Sequence, residues 1–178
     1  MYTRAKPLRI SAMTFAVFAL SGLFFSMSPA TADVRGDVEA KLVDTQKRAA
    51  PDLTVGKARC ASALAKPAGR VAAGVYRCTV AVEGVSVPYN VTVRTGGVGK
   101  TGTYTMQSAG AVIDTKKLIA IAASVVDDPT KAQISCGKAR VVVAAPGTML
   151  VCSVVDGGAT QTLTFAVKDL RGVVSLVR

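Results

Sequence analysis

Laid over itself so that Cys60 falls on Cys136, the stretch VEAKLVDTQKRAAPDLTVGKARC (38–60) matches DTKKLIAIAASVVDDPTKAQISC (114–136) without a gap. Leu42 then meets Leu118, and Thr54 meets Thr130. Past the first cysteine the offset shortens by two residues, and GVYRCTVAVEGVSVPYNVTVR (74–94) aligns with TMLVCSVVDGGATQTLTFAVK (148–168) through Cys78 and Cys152. A unit used twice constrains the fold more than composition does, because each copy must be a supersecondary structure in its own right.

Within each unit the apolar period changes from helix to strand. Leu118, Ile121, Ala122 and Val125 lie at i, i+3, i+4 and i+7, so a helix opened by Asp114 turns one stripe inward before Asp127-Asp128-Pro129 stops it. Val34, Val38, Leu42 and Val43 give a weaker version in the first unit. Val85, Val87, Tyr89, Val91 and Val93 alternate with Ser86, Pro88, Asn90, Thr92 and Arg94, the two-residue period of a strand with one buried face. Leu163, Phe165 and Val167 repeat that pattern. Pro88 lacks a ladder donor, which predicts an edge strand or a bulge. Gly84 and Gly157-Gly158 mark corresponding hairpin turns, and the loop Gly96 to Gly102 corresponds to Lys168-Asp169-Leu170-Arg171-Gly172. The expected architecture is α+β: two tandem repeats, 33–110 and 111–178, each a helix packed on an antiparallel sheet of about four strands with one disulfide.

Residues 1–32 have the order of a secretory signal: basic Arg4, Lys6 and Arg9, an apolar run from Ile10 to Met27, and the exit Ala30-Thr31-Ala32. Cleavage would leave Asp33 as the new N-terminus; the alternative is a membrane anchor formed by uncleaved residues 10–27. No cysteine follows the apolar run to take a lipid, and no later segment is long and apolar enough to span a bilayer. The whole chain carries 22 Lys plus Arg against 11 Asp plus Glu; losing Arg4, Lys6 and Arg9 leaves 19 against 11, a net of +8. Such a balance favours contact with anionic surfaces.

Cys60, Cys78, Cys136 and Cys152 are an even set in an exported chain, which reads as disulfides. A four-cysteine zinc site would want pairs two to four residues apart, far closer than these. Of the three connectivities, Cys60–Cys78 with Cys136–Cys152 is expected, since a repeated unit should carry its own staple.

Most catalytic chemistries are disfavoured. The chain has no histidine, which removes the usual general base near neutral pH and the commonest metal ligand. Gly99-Lys100-Thr101 ends like a P-loop, but Arg94 stands where the motif needs glycine, and Thr103-Tyr104-Thr105-Met106 continues as a strand where it needs a helix. Ser135-Cys136-Gly137-Lys138 and Lys100-Thr101-Gly102 match S-x-x-K and K-T-G, in the wrong chain order and without S-D-N. The adjacent carboxylates Asp127-Asp128 read as helix-end solvation, and Asn90-Val91-Thr92 as an inert glycosylation match inside a strand. A single-stranded nucleic-acid binder would interleave aromatics with its cations; here Tyr76, Tyr89, Tyr104 and Phe165 all fit inward strand positions. No catalytic, cofactor-binding or metal-binding residue is therefore expected, and no nucleic-acid partner.

A leading helix, a cysteine, a run to glycine shortly before a second cysteine and a V-x-V strand together resemble an actinobacterial domain of unknown function, family 4333. Cys60, Gly74, Cys78 and Val91-Thr92-Val93 carry the resemblance in the first unit, and Cys136, Gly147, Cys152 and Phe165-Ala166-Val167 in the second. The resemblance implies two tandem copies in an exported or membrane-anchored protein, and it implies no activity. The plan is also similar to that of the secreted β-lactamase-inhibitory proteins, in architecture alone. The expected function is that of an exported, non-catalytic binding module, secreted or in the cell envelope, whose basic surface meets an anionic envelope component. The alternative is a secreted inhibitor that binds a protein.

Overall fold

A computed structural model describes residues 24–26 (backbone only), 34–65, 71–94 and 103–177. Most of the leader-like segment and the glycine-rich loop 95–102, with its P-loop and K-T-G fragments, therefore lie outside the described residues. The chain order is β1 (Phe24–Ser26), α1 (Val34–Ala49), β2 (Val55–Cys60), a 3-10 turn (Ser62–Leu64), β3 (Gly74–Val82), β4 (Val85–Arg94), β5 (Thr103–Ser108) and β6 (Ala111–Asp114). Then follow α2 (Thr115–Ala123), β7 (Gln133–Ser135), β8 (Val141–Ala144), β9 (Met149–Asp156), β10 (Ala159–Val167) and β11 (Val174–Val177). The fold is α+β, and every strand pairing among the described residues is antiparallel.

Three sheets form, ordered β1-β5-β4-β3-β2, β11-β10-β9-β7 and β6-β8. The β3–β4 hairpin turns on Glu83 and Gly84, with φ of 49° and 78°; the β9–β10 hairpin turns on Gly157 and Gly158, with φ of 55° and 85°. Positive φ at both central residues is the two-residue turn whose twist suits paired strands, and glycine adopts it without a Cβ clash. Cys60 lies directly opposite Cys78 across β2 and β3, and their disulfide spans a Cα–Cα distance of 4.0 Å. Cys136, next to the end of β7, bonds to Cys152 on β9 at a Cα–Cα distance of 4.1 Å. Two disulfides suit an oxidising compartment such as the cell exterior.

The helices differ from the sequence reading in length. α1 packs Val34, Val38 and Leu42 into the core, then continues the same stripe with buried Thr45 and Gln46 while Val43 is half-buried. Its first half is tied to β5: the Tyr104 hydroxyl donates to Asp37 Oδ2 at 2.7 Å, and Lys41 sits 3.4 Å from Asp37 and 5.3 Å above the Tyr104 ring. Burial, then the Asp37 carboxylate, holds the Tyr104 phenol well above its ordinary pKa. Glu39 Oε1 accepts from the Cys60 amide at 2.8 Å and so fastens the helix to the stapled strand. α2 begins as expected, with Asp114 accepting from the Lys116 amide at 2.8 Å. It stops at Ala123, short of Asp127, where the backbone tightens to three-residue bonds: the Val125 amide donates to the Ala122 carbonyl at 3.2 Å, and the Ser124 hydroxyl adds a bond to the Ile121 carbonyl at 2.7 Å. Val125 thus falls beyond the helix.

Pro88 is not on an edge strand, nor at a bulge, since β4 pairs with β3 in unbroken register from Val82↔Val85 to Gly74↔Val93. In an antiparallel ladder a residue's N–H and C=O point to the same neighbour. The Pro88 carbonyl accepts from Ala109 at 2.8 Å, so its missing donor faces the β5 side, one residue past the end of β5. Only the reciprocal bond at this last rung is forgone, beyond the paired residues of β5. The bulge in this sheet lies instead between β2 and β3, where the register shifts between Val55 and Ala58.

Two apolar clusters form, and the β6–β8 ribbon serves both. Val141, Val112 and Val143 pack with the cluster built on α1 and β3–β5, whereas Ala111, Ile113, Ala144 and Val142 pack with the one built on α2 and β9–β11. Alternate side chains of a strand point to opposite faces, so a ribbon with two apolar faces can be shared by two cores. That is why AVI of β6 and VVVA of β8 read as continuous apolar runs.

Candidate functional site

The turn from β5 into β6 is a close approach that only glycine allows. A Cβ on Gly110 would lie 2.8 Å from Val143 Cγ1. Glycine lets β6 fold back there, which brings the end of α1, β5, the start of α2 and the β10–β11 loop around one groove of about 930 Å³. That volume lies within the range of small-molecule sites.

The β10–β11 loop is held by bonds within itself, centred on the Asp169 carboxylate. Asp169 Oδ1 accepts from the Arg171 amide at 2.9 Å and the Val173 amide at 3.2 Å, and the Lys168 amide donates to the Val173 carbonyl at 2.7 Å. Gly172 closes the turn at a φ of 82°, with Val112 O only 3.1 Å from where a Cβ would stand. The loop is thereby pressed on β6, while Lys168 and Arg171 stay exposed on the groove.

Each acid in the groove wall is already engaged. Asp52 meets Lys117 at 3.4 Å, joining the end of α1 to α2. Asp114 is ion-paired with Arg140 besides capping α2. Asp169 is occupied by amides. By contrast Arg94, Lys168 and Arg171 line the groove and make no ion pair among the described residues.

Inside the groove the inward stripe of α1 turns polar. Gln46 is 3% exposed, and its Oε1 accepts from the Tyr89 hydroxyl at 2.5 Å. Its amide nitrogen makes no hydrogen bond among the described residues. Burial pushes the Tyr89 phenol up to about 12, so it is a donor throughout the physiological range. The apolar wall is aliphatic, with Leu53, Met106, Ile113, Leu118, Ile121 and Leu170 among its members, and Tyr89 is its one aromatic residue among those described.

The fragments weighed in the sequence lie elsewhere. Ser135 ends β7 and Lys138 lies three residues on, both exposed. The Asp128 carboxylate is held below the usual range by Lys131 and Thr130, with Lys131 Nζ at 2.8 Å. Asn90 faces solvent on β4 between Arg77 and Gln107. Tyr89, Tyr104 and Phe165 are buried, and Tyr76 is half-buried with its hydroxyl on the Ala72 carbonyl at 2.8 Å. Among the described residues no group of three or more His, Cys, Asp or Glu could hold a metal, and no helix is long and apolar enough to cross a membrane. Sequence reasoning missed Gln46, Arg94, Lys168 and Arg171 as a set. The one available signal was Thr45-Gln46 falling on inward helical positions after Leu42.

No protein-family model, curated protein or solved structure matches this chain.

Proposed function

We propose that this protein is an exported, non-catalytic binding module of the cell envelope or its surroundings, and that it recognises an anionic partner at the groove. The observation that carries the reading is the imbalance of engaged charges: the groove's acids are spent on Lys117, Arg140 and backbone amides, while Arg94, Lys168 and Arg171 have no acid among the described residues. Unpaired cations around a concave surface attract and orient an anion. Absence of histidine from the whole chain supports a non-catalytic role. The leader-like segment and the two disulfides support export.

The module is a tandem duplication in this reading. The orders β5-β4-β3-β2 and β11-β10-β9-β7 correspond, and the pairings Cys78↔Tyr89 and Cys152↔Leu163 occupy the same place in the two hairpins. The groove then lies at the junction of the copies. It would belong to neither copy alone.

A rival reading is a protein binder or inhibitor, favoured by Met149 and Val151, which stand side by side on β9 at 55% and 57% exposure. Salt separates the two, since exposed charges are screened over about 8 Å at physiological ionic strength. A pull-down of the oxidised protein against envelope fractions should retain an anionic component at low salt and release it at high salt. Retention of one protein through the high-salt wash would favour the rival, and binding to nothing at low salt would remove the reading.

A further inference from the structure

We infer that the ligand of the groove is an anionic amphiphile: a single aliphatic chain ending in a carboxylate or phosphate group. The inference rests on the binding-module reading and deepens it by naming the ligand class. Three observations converge. The wall is aliphatic, which suits an alkyl chain; an aromatic ligand would prefer ring partners, and Tyr89 is the one aromatic wall residue described. Arg94, Lys168 and Arg171 supply cations with no acid of their own among the described residues. Gln46, 3% exposed, offers amide donors that no described residue accepts, while its carbonyl oxygen is fixed by Tyr89.

The Gln46 amide nitrogen is not among the buried groups left without a partner, so it keeps a solvent-facing edge in the groove. An oxygen on the ligand would accept from it. An inorganic anion or a short polymer segment would meet the cations and leave the aliphatic wall unused; a neutral alkane would do the reverse. The chemistry that uses both is a chain with one charged end.

The test is calorimetric titration of the oxidised protein with dodecanoate and dodecyl phosphate below their micellar concentrations. Dodecanol, dodecyltrimethylammonium and acetate serve as controls. One or both anionic amphiphiles should bind with one-to-one stoichiometry, and the stronger of the two identifies the headgroup. Dodecanol should bind at least about tenfold more weakly, the loss of one charge-assisted hydrogen bond. Acetate and the cationic amphiphile should not bind measurably.

Ala49, exposed at the end of α1 on the groove wall, allows the site to be blocked without removing a core side chain. Ala49→Trp should abolish dodecanoate binding, and the double variant Lys168→Glu, Arg171→Glu should weaken it by roughly a hundredfold, about tenfold per cation. Binding of neither anionic amphiphile, equal binding of the cationic one, or binding that survives Ala49→Trp unchanged would overturn the inference. Salt-sensitive retention of an envelope component without amphiphile binding would sink the ligand class and leave the binding module standing. Loss of both would remove the two together.

Discussion

Replacing Cys136 and Cys152 with alanine should destabilise the core that contains no tyrosine, and the tyrosines should report it. The bridge spans a sequence separation of 16. In the chain-entropy model its removal returns about 10 cal/mol/K to the unfolded chain, or about 3 kcal/mol at 25 °C. For a domain of this size each kcal/mol moves Tm by about 2–4 °C, so a fall of about 6–12 °C follows. Tyr76, Tyr89 and Tyr104 all belong to the other cluster, and the chain has no tryptophan. Intrinsic fluorescence of protein lacking the leader-like segment, and with it Tyr2, therefore watches α1 and β3–β5 alone. Val112, Val141 and Val143 pack into that cluster from a ribbon whose other face fills the damaged one. Loss of the bridge should therefore shift the tyrosine transition together with the calorimetric one. A tyrosine transition that stays at the wild-type temperature, beside a new earlier heat-absorption peak, would refute coupling through the ribbon.

Tyr89→Phe should cost about 1–3 kcal/mol by leaving Gln46 Oε1 without its donor, read from urea unfolding at neutral pH. The phenol's folded pKa lies above its ordinary value of 10, at about 12, so its contribution is fully present below pH 10 and is lost as pH rises from about 10 to 12. The wild type should lose stability across that window more steeply than Tyr89→Phe, by about 2–3 kcal/mol in total; parallel curves would show that the ring is not buried in solution. Gly172→Ala should cost about 1–3 kcal/mol and displace the loop from β6, since the residue holds a φ of 82° with Val112 O 3.1 Å from the new Cβ. Amide exchange in residues 168–173 that stays as slow as in the wild type would contradict it. Arg140→Ala should cost about 2 kcal/mol or more by stranding the largely buried Asp114 carboxylate, and Asp114→Asn in the same protein should recover part of that, because asparagine still caps α2.

The hairpins and their inward faces were legible because the signals are local. Gly84 and Gly157-Gly158 require left-handed turns, and Val87, Tyr89, Val91 and Val93 alternate without interruption. Features set by neighbours were not. Pro88 reads as an edge residue in isolation and is central in fact, because what matters is where β5 ends. Alternation in β10 failed at Ala166, which is buried along with Phe165 and Val167, so both faces of that strand end are covered. Phe24–Ser26, read as part of a leader, pairs with Thr103–Thr105 at the sheet edge, a contact between segments far apart in the chain. The groove was the least legible feature, because segments far apart in the chain build it and its cations become distinctive only once the acids beside them are seen to be engaged.

Site-specific photo-crosslinking from the two candidate faces tests the central claim most directly. A crosslinking residue at Gln107, exposed on β5 beside the groove, is compared with one at Met149, exposed on the outer face of β9, in oxidised protein incubated with envelope fractions. The account predicts an adduct with an anionic envelope component from position 107, lost at high salt, and none from position 149. A salt-resistant protein adduct from position 149, with none from position 107, would contradict it.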